Sequence, residues 1–185
     1  MKIHTKNSTY RICEIEFYLF DKFHPDSYTH RDKEQLNYGT FYFHRMNGKG
    51  FKAGTYKCFD LAFGDETENK YFGVLVRSIM NISTGQFYEG PCRSLTALLA
   101  EYGCTEVKEF VGARKAIDLF ANDQELCISF ENSQKIEEIW SGPRIGLSDK
   151  YPDFKSKNYR YLIFEKKIKK SKKNLVKLNI EEFKK

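Results

Sequence analysis

Arg11-Ile12-Cys13-Glu14-Ile15-Glu16-Phe17-Tyr18-Leu19 alternates in character along a run of strand-forming residues. Read as an extended strand, it turns Glu14, Glu16 and Tyr18 to one side and Cys13, Ile15, Phe17 and Leu19 to the other. Two carboxylates and a phenol on a buried face need compensation from solvent, a cation or a ligand. Alternate residues of a strand lie roughly 6–7 Å apart, which lets one acid act as a general base beside a structural partner. A solvated strand face carrying two acids gives the same pattern.

Further strand signals surround this segment. Gly39-Thr40-Phe41-Tyr42-Phe43-His44 alternates, and Tyr56 to Phe63 and Phe72 to Ile79 are compact apolar runs of strand length. Turn signals at Asn47-Gly48-Lys49-Gly50 and Ala53-Gly54 predict a hairpin around residues 40–63. Pro91 to Tyr102 reads as a short helix with Gly103 just past its end, and residues 105–121 hold a second helical pattern in Val107, Phe110 and Val111. Ser133 to Trp140 is ambiguous, residues 141–149 contain a glycine-rich turn, and Tyr159 to Phe164 reads as a final strand. The expected fold is α+β, a single domain over residues 1–164 with a mostly antiparallel curved sheet, a protruding β-hairpin and flanking helices. Residues 165–185 are expected to form a basic C-terminal tail.

The 185 residues include 16 Phe and 12 Tyr, and 30 % are charged, a globular rather than disordered composition. The net charge of +6 is uneven: residues 1–150 carry 19 basic and 21 acidic residues, residues 151–185 carry 12 and 4. A lysine-rich end attracts polyanions without reading sequence, although a solvated terminus has the same composition. The five cysteines form no C-x-x-C pair, which points to reduced thiols and an intracellular protein. No apolar run approaches transmembrane length, so no membrane partner is expected. His24, His30 and His44 match no standard zinc spacing, and neither a metal nor a cofactor is expected.

Two other features carry chemistry. Arg77 lies within Val74-Leu75-Val76-Arg77-Ser78-Ile79, a strand that should be mostly buried, and a buried guanidinium needs a carboxylate or phosphate. Glu14 or Glu16 fits that need, as a structural ion pair or as part of a reactive centre. Between Phe41 and Phe59 the chain carries Arg45, Lys49, Lys52 and Lys57 and no acid, interleaved with Tyr42, Phe43, Phe51 and Tyr56. Basic groups hold phosphates and aromatic faces stack bases, so this hairpin is a candidate nucleic-acid surface. An ordinary amphipathic hairpin shares the pattern.

Several of these segments occur in the order found in the alkyladenine (3-methyladenine) DNA glycosylase family of the mammalian type. Residues 11–19 are similar to its R-x-x-E-x-E-A-Y-L strand, and residues 39–44 resemble its G-T-L-Y-V-Y strand. Residues 74–79 resemble V-L-L-R-A, Gly90 to Leu95 resembles G-P-x-x-L, and Pro143-Arg144-Ile145-Gly146 resembles the R-I/V-G loop. Tyr159-Arg160-Tyr161-Leu162 stands where the family has a closing strand. The resemblance implies cleavage of the N-glycosidic bond of a damaged purine flipped out of double-stranded DNA, by a monomer without metal or cofactor. It implies that Glu16 activates water beside Arg77, that Tyr18 and His44 stack on the base, and that His30, Tyr42 and Asp60 line its pocket. Arg45, Lys49, Phe51, Lys52 and Lys57 would contact DNA, with Met46 or Phe51 as the wedge. Phe17, His44 and Asp60 stand where the family has Ala, Tyr and Asn. A non-catalytic nucleic-acid-binding module and a nucleoside or glycoside hydrolase are the alternatives.

Overall fold

The computed structural model describes residues 1–46, 49–112, 117–121, 125–130 and 137–179. Its strands, in chain order, are β1 (Lys2–His4), β2 (Thr9–Phe20), β3 (Tyr38–Phe43), β4 (Phe59–Phe63), β5 (Tyr71–Asn81), β6 (Phe87–Glu89), β7 (Cys127–Ser129), β8 (Trp140–Gly142), β9 (Arg160–Leu162) and β10 (Val176–Lys177). They form one open sheet in the order β10-β8-β9-β2-β5-β4-β3, with β1 beside the first part of β2, β7 beside β1 and β6 beside β5. Every strand pairing among the described residues is antiparallel. The chain is a single domain of many strands and few helices, consistent with the α+β expectation.

The strand of residues 11–19 is the middle of the 12-residue β2, and its alternation changes phase. Tyr10 and Ile12 face the hydrophobic core, and so do Ile15 and Phe17. A switch from even to odd residues needs an extra residue, and the pairing supplies it. Ile12 is opposite Ile79, Glu14 opposite Ser78 and Ile15 opposite Val76, so Cys13 is extra on β2 and Arg77 is extra on β5. The strict alternation expected over the segment therefore holds only from Glu14 onward. The two bulges together turn Glu14 and Glu16 away from the core.

The core face is covered by α1 (Pro91–Ala100), which starts with Pro at its first turn and buries Leu95, Leu98 and Leu99. Gly103, at φ +67°, lets the chain turn away just beyond it. The second helix is shorter than expected: α2 spans Val107–Val111, buries Val107 and Phe110, and ends at Gly112. Residues 113–116 and Ser133 to Ile136 of the ambiguous segment lie outside the described residues. A third short helix, α3, spans Pro152–Lys155. None of the described helices is long and apolar enough to cross a membrane.

The predicted hairpin is present as β3 and β4, with Phe43 opposite Phe59 and Phe41 opposite Leu61. Its 15-residue connection folds back on itself, since Arg45 bridges Phe51 and the Lys52 N–H donates to the His44 carbonyl. Asn47 and Gly48 of its turn signal lie outside the described residues.

The described part of the basic C-terminal segment, residues 165–179, packs on the domain. Ile168 is 1 % exposed, the Lys169 and Lys170 N–H groups donate to Glu89 Oε1, and β10 adds a strand beyond β8. The strand at Arg160–Leu162 is thus neither last in the chain nor at the sheet edge. Ile168, the Glu89 carboxylate and the β10–β8 pairing together anchor the segment, which composition alone does not reveal.

Candidate functional site

Register decides which residues meet on the face opposite the core. Glu16 pairs with Leu75, Leu75 with Asp60 and Asp60 with Tyr42, so these four residues share a face across β2, β5, β4 and β3. Tyr18 and His44, each two residues along, extend the same face. Glu16 and Tyr42 stand three strand spacings apart, about 14 Å along the backbone.

At one end of this face lies a buried charge cluster. Glu14 is 2 % exposed, and its Oε1 accepts from Arg160 Nε at 2.6 Å and Arg77 Nε at 3.3 Å, while its Oε2 accepts from Ser78 Oγ at 2.5 Å. Arg77 Nη1 lies 3.3 Å from Glu16 Oε1, so one guanidinium bridges both acids. Glu14 is held by three donors, two of them guanidinium groups, which fits a structural role.

Glu16 is completely buried. Its Oε1 also accepts from the Ile145 N–H at 2.8 Å, and its Oε2 accepts from the Tyr18 hydroxyl at 2.8 Å. Burial pushes its carboxyl above the ordinary range, while Arg77, the Ile145 N–H and Tyr18 pull against that rise. Burial and the nearby Glu16 charge raise the Tyr18 phenol well above its usual value, which keeps it a donor.

The loop carrying Ile145 is held by Arg144, whose guanidinium makes a two-pronged contact with Asp26 at 2.5 and 3.1 Å. The same group donates to the carbonyls of Phe17 and Phe154 and lies over the rings of Tyr18, Tyr28 and Tyr159. One ring face of Tyr18 is thereby occupied. Asp26 and Arg160 were not identifiable as members of the site from sequence. Their partners lie 118 and 146 residues away.

At the other end, His44 Nε2 lies 2.6 Å from Asp60 Oδ1 and its ring stacks on Tyr42 with centroids 5.0 Å apart. Burial alone would lower its pKa, but the charge and hydrogen bond of Asp60 outweigh burial and raise it to about 10. His44 is therefore an imidazolium at neutral pH. His30 packs edge-on to it at 4.4 Å, and this partial burial together with the His44 charge lowers the His30 pKa, leaving it neutral. Gln35 Nε2 donates to Asp60 Oδ2 at 3.2 Å, so Asp60 is held from both sides. Gly73 makes room for this arrangement: a Cβ there would lie 2.8 Å from Gln35 Nε2 and closer still to Asp60.

A cavity of about 850 Å³ opens beside His30 and Tyr42. Its walls are the 30–34 segment and the hairpin residues Arg45, Met46 and Lys52. Of the expected DNA contacts, Arg45 and Lys52 line this cavity, Lys49 is exposed near the hairpin tip, and Phe51 is half-buried beneath the Arg45 guanidinium. Lys57 does not join them. Its ammonium is buried, donating to the Thr105 carbonyl at 2.5 Å and lying 4.0 Å from Glu106, so it is not free to meet a phosphate. His24 packs on Phe154 and Tyr159. Among the described residues no group of three or more His, Cys, Asp or Glu stands close enough to hold a metal ion.

No family model matches the chain. It is 44 % identical over 183 residues to "Uncharacterized protein L759" of Acanthamoeba polyphaga mimivirus, an alignment covering 93 % of this chain and 84 % of that protein. At that identity and coverage, the chain belongs to the same protein family as this mimivirus protein.

Proposed function

We propose that this protein hydrolyses the N-glycosidic bond of a modified purine flipped out of duplex DNA. The observation that carries the proposal is the single sheet face bearing Glu16, Tyr18, Asp60, Tyr42 and His44. A carboxylate stands at one end of that face and stacked rings with a cation-lined cavity at the other. Glu16 takes a proton from water as it attacks the sugar carbon, and its charge stabilises the positive charge that develops there. Arg77 orients Glu16 and opposes the rise that burial imposes on its carboxyl. Extruding a base costs a few kcal/mol, and stacking at about 1–3 kcal/mol per base offsets part of it.

The test is single-turnover base release from duplexes carrying hypoxanthine, ethenoadenine or 3-methyladenine. Glu16→Gln should retain DNA binding and lose at least about 100-fold in cleavage, as loss of a general base does. Equal cleavage by that variant would remove Glu16 from the mechanism.

One observation favours a second reading. Both oxygens of Glu16 are hydrogen-bonded and none of its surface is exposed, as befits a structural carboxylate in a nucleic-acid-binding module that cuts nothing. Salt-dependent DNA binding without base release from any of the three duplexes would select that reading.

A further inference from the structure

The 850 Å³ cavity lies in the size range of a small-molecule site, and its walls are of two kinds. One is cationic. Arg31 stands with its guanidinium over the Phe20 ring at 4.7 Å, and Lys52 is fixed through its backbone N–H to the His44 carbonyl. Of the two acids of the same wall, Glu34 pairs with Arg45 at 3.3 Å, while Asp32 accepts the Glu34 N–H at 3.1 Å and keeps its charge. Arg31, Lys33 and Lys52 line the cavity with no carboxylate in ion-pair reach among the described residues, so cations outnumber the remaining acid. The rest of the lining includes His30, edge-on to Tyr42, and the exposed Met46. An uncharged ring and a thioether suit a planar neutral ligand.

We propose that this cavity binds a nucleotide unit, its phosphate held by Arg31, Lys33 and Lys52 and its base laid between His30 and Met46. The chemistry is a phosphate joined to a planar heterocycle, whether a free nucleotide or one residue of a nucleic-acid strand supplies it. A fork-shaped guanidinium beside two ammonium groups matches the several oxygens of a phosphate, and a neutral ring between soft walls matches a base better than an aliphatic chain. The site rests on the reading of this sheet face as a nucleic-acid surface, but its occupancy requires nothing of Glu16.

Titration calorimetry of the full chain with adenosine 5′-monophosphate, adenosine and inorganic phosphate tests it. The monophosphate should bind at least tenfold more tightly than either fragment. Arg31→Gln/Lys52→Gln should lose that advantage and leave adenosine binding unchanged, while Lys52→Arg retains it. A 5′-phosphorylated trinucleotide compared with the monophosphate separates the sources: tighter binding of the trinucleotide assigns the site to a strand, tighter binding of the monophosphate to a free nucleotide. Equal affinity for adenosine and its monophosphate, or an undiminished advantage in the folded double variant, overturns the proposal. Nucleotide binding by wild type that releases no base from duplexes would sink the catalytic reading and leave this one standing.

Discussion

Replacing Glu14 by Leu should be the most damaging single change in the charge cluster. The carboxylate is 2 % exposed and receives donors from Arg160, Arg77 and Ser78. Arg77 keeps a partner in Glu16, but Arg160, 1 % exposed, is left with only the Ser171 carbonyl at 2.6 Å. An uncompensated buried charge costs about 3–5 kcal/mol. With a urea dependence of about 2 kcal/mol per molar, the unfolding midpoint should fall by roughly 1.5–2.5 M. The double variant Glu14→Leu/Arg160→Leu should be more stable than the sum of the two single losses, because apolar residues replace a buried pair at little cost. Equilibrium urea unfolding of wild type, both single variants and the double variant measures the cycle. A loss below about 1 kcal/mol in Glu14→Leu, or strict additivity in the double, would refute the reasoning.

Other outcomes follow from the same geometry. Gly73→Ala forces a Cβ against Asp60 and Gln35 and should cost about 1–3 kcal/mol, read as a lowered thermal midpoint. Ile168→Ala should cost about 2–5 kcal/mol, as in any packed core, and a change near zero in the urea midpoint would mean that Ile168 is not packed. His44 contributes a pH dependence of its own. Its pKa rises on folding from about 6.5 to about 10, so the stability it contributes is complete below about pH 6.5 and is lost as pH rises through about 10. The urea midpoint of wild type should therefore decline between pH 7 and 10, and Asp60→Asn, which removes the cause of the shift, should decline less.

How much of this was legible in the sequence depends on the range of each interaction. The strands around Glu16, Phe41 and Val74 were readable because period-two patterning is local, and the helix at Pro91 announced its own start and stop. The need of Arg77 for a carboxylate was readable from its apolar surroundings, and the structure gives it two. The bulges at Cys13 and Arg77 were not readable, because a bulge exists only relative to the partner strand. Nor was the inward turn of Lys57, whose acceptor at Thr105 comes from a different part of the chain. Composition made the lysine-rich end look solvated, although Ile168, Leu175, Val176 and Leu178 are apolar residues set among the lysines.

The paired bulges bear on how relatives are to be aligned. Cys13 shifts the β2–β5 register by one residue, and Arg77 shifts it back, so Tyr10 opposite Asn81 and Phe20 opposite Tyr71 keep the same pairing frame. Loss of either residue alone would slide one half of the longest strand pair and carry Glu14 and Glu16, or Tyr10 and Ile12, to the wrong side of the sheet. Loss of both would restore the frame on each side of the gap. Gaps in these two strands should therefore occur together, opposite one another, or not at all. A relative with a lone gap in either strand cannot place its acids where this chain does.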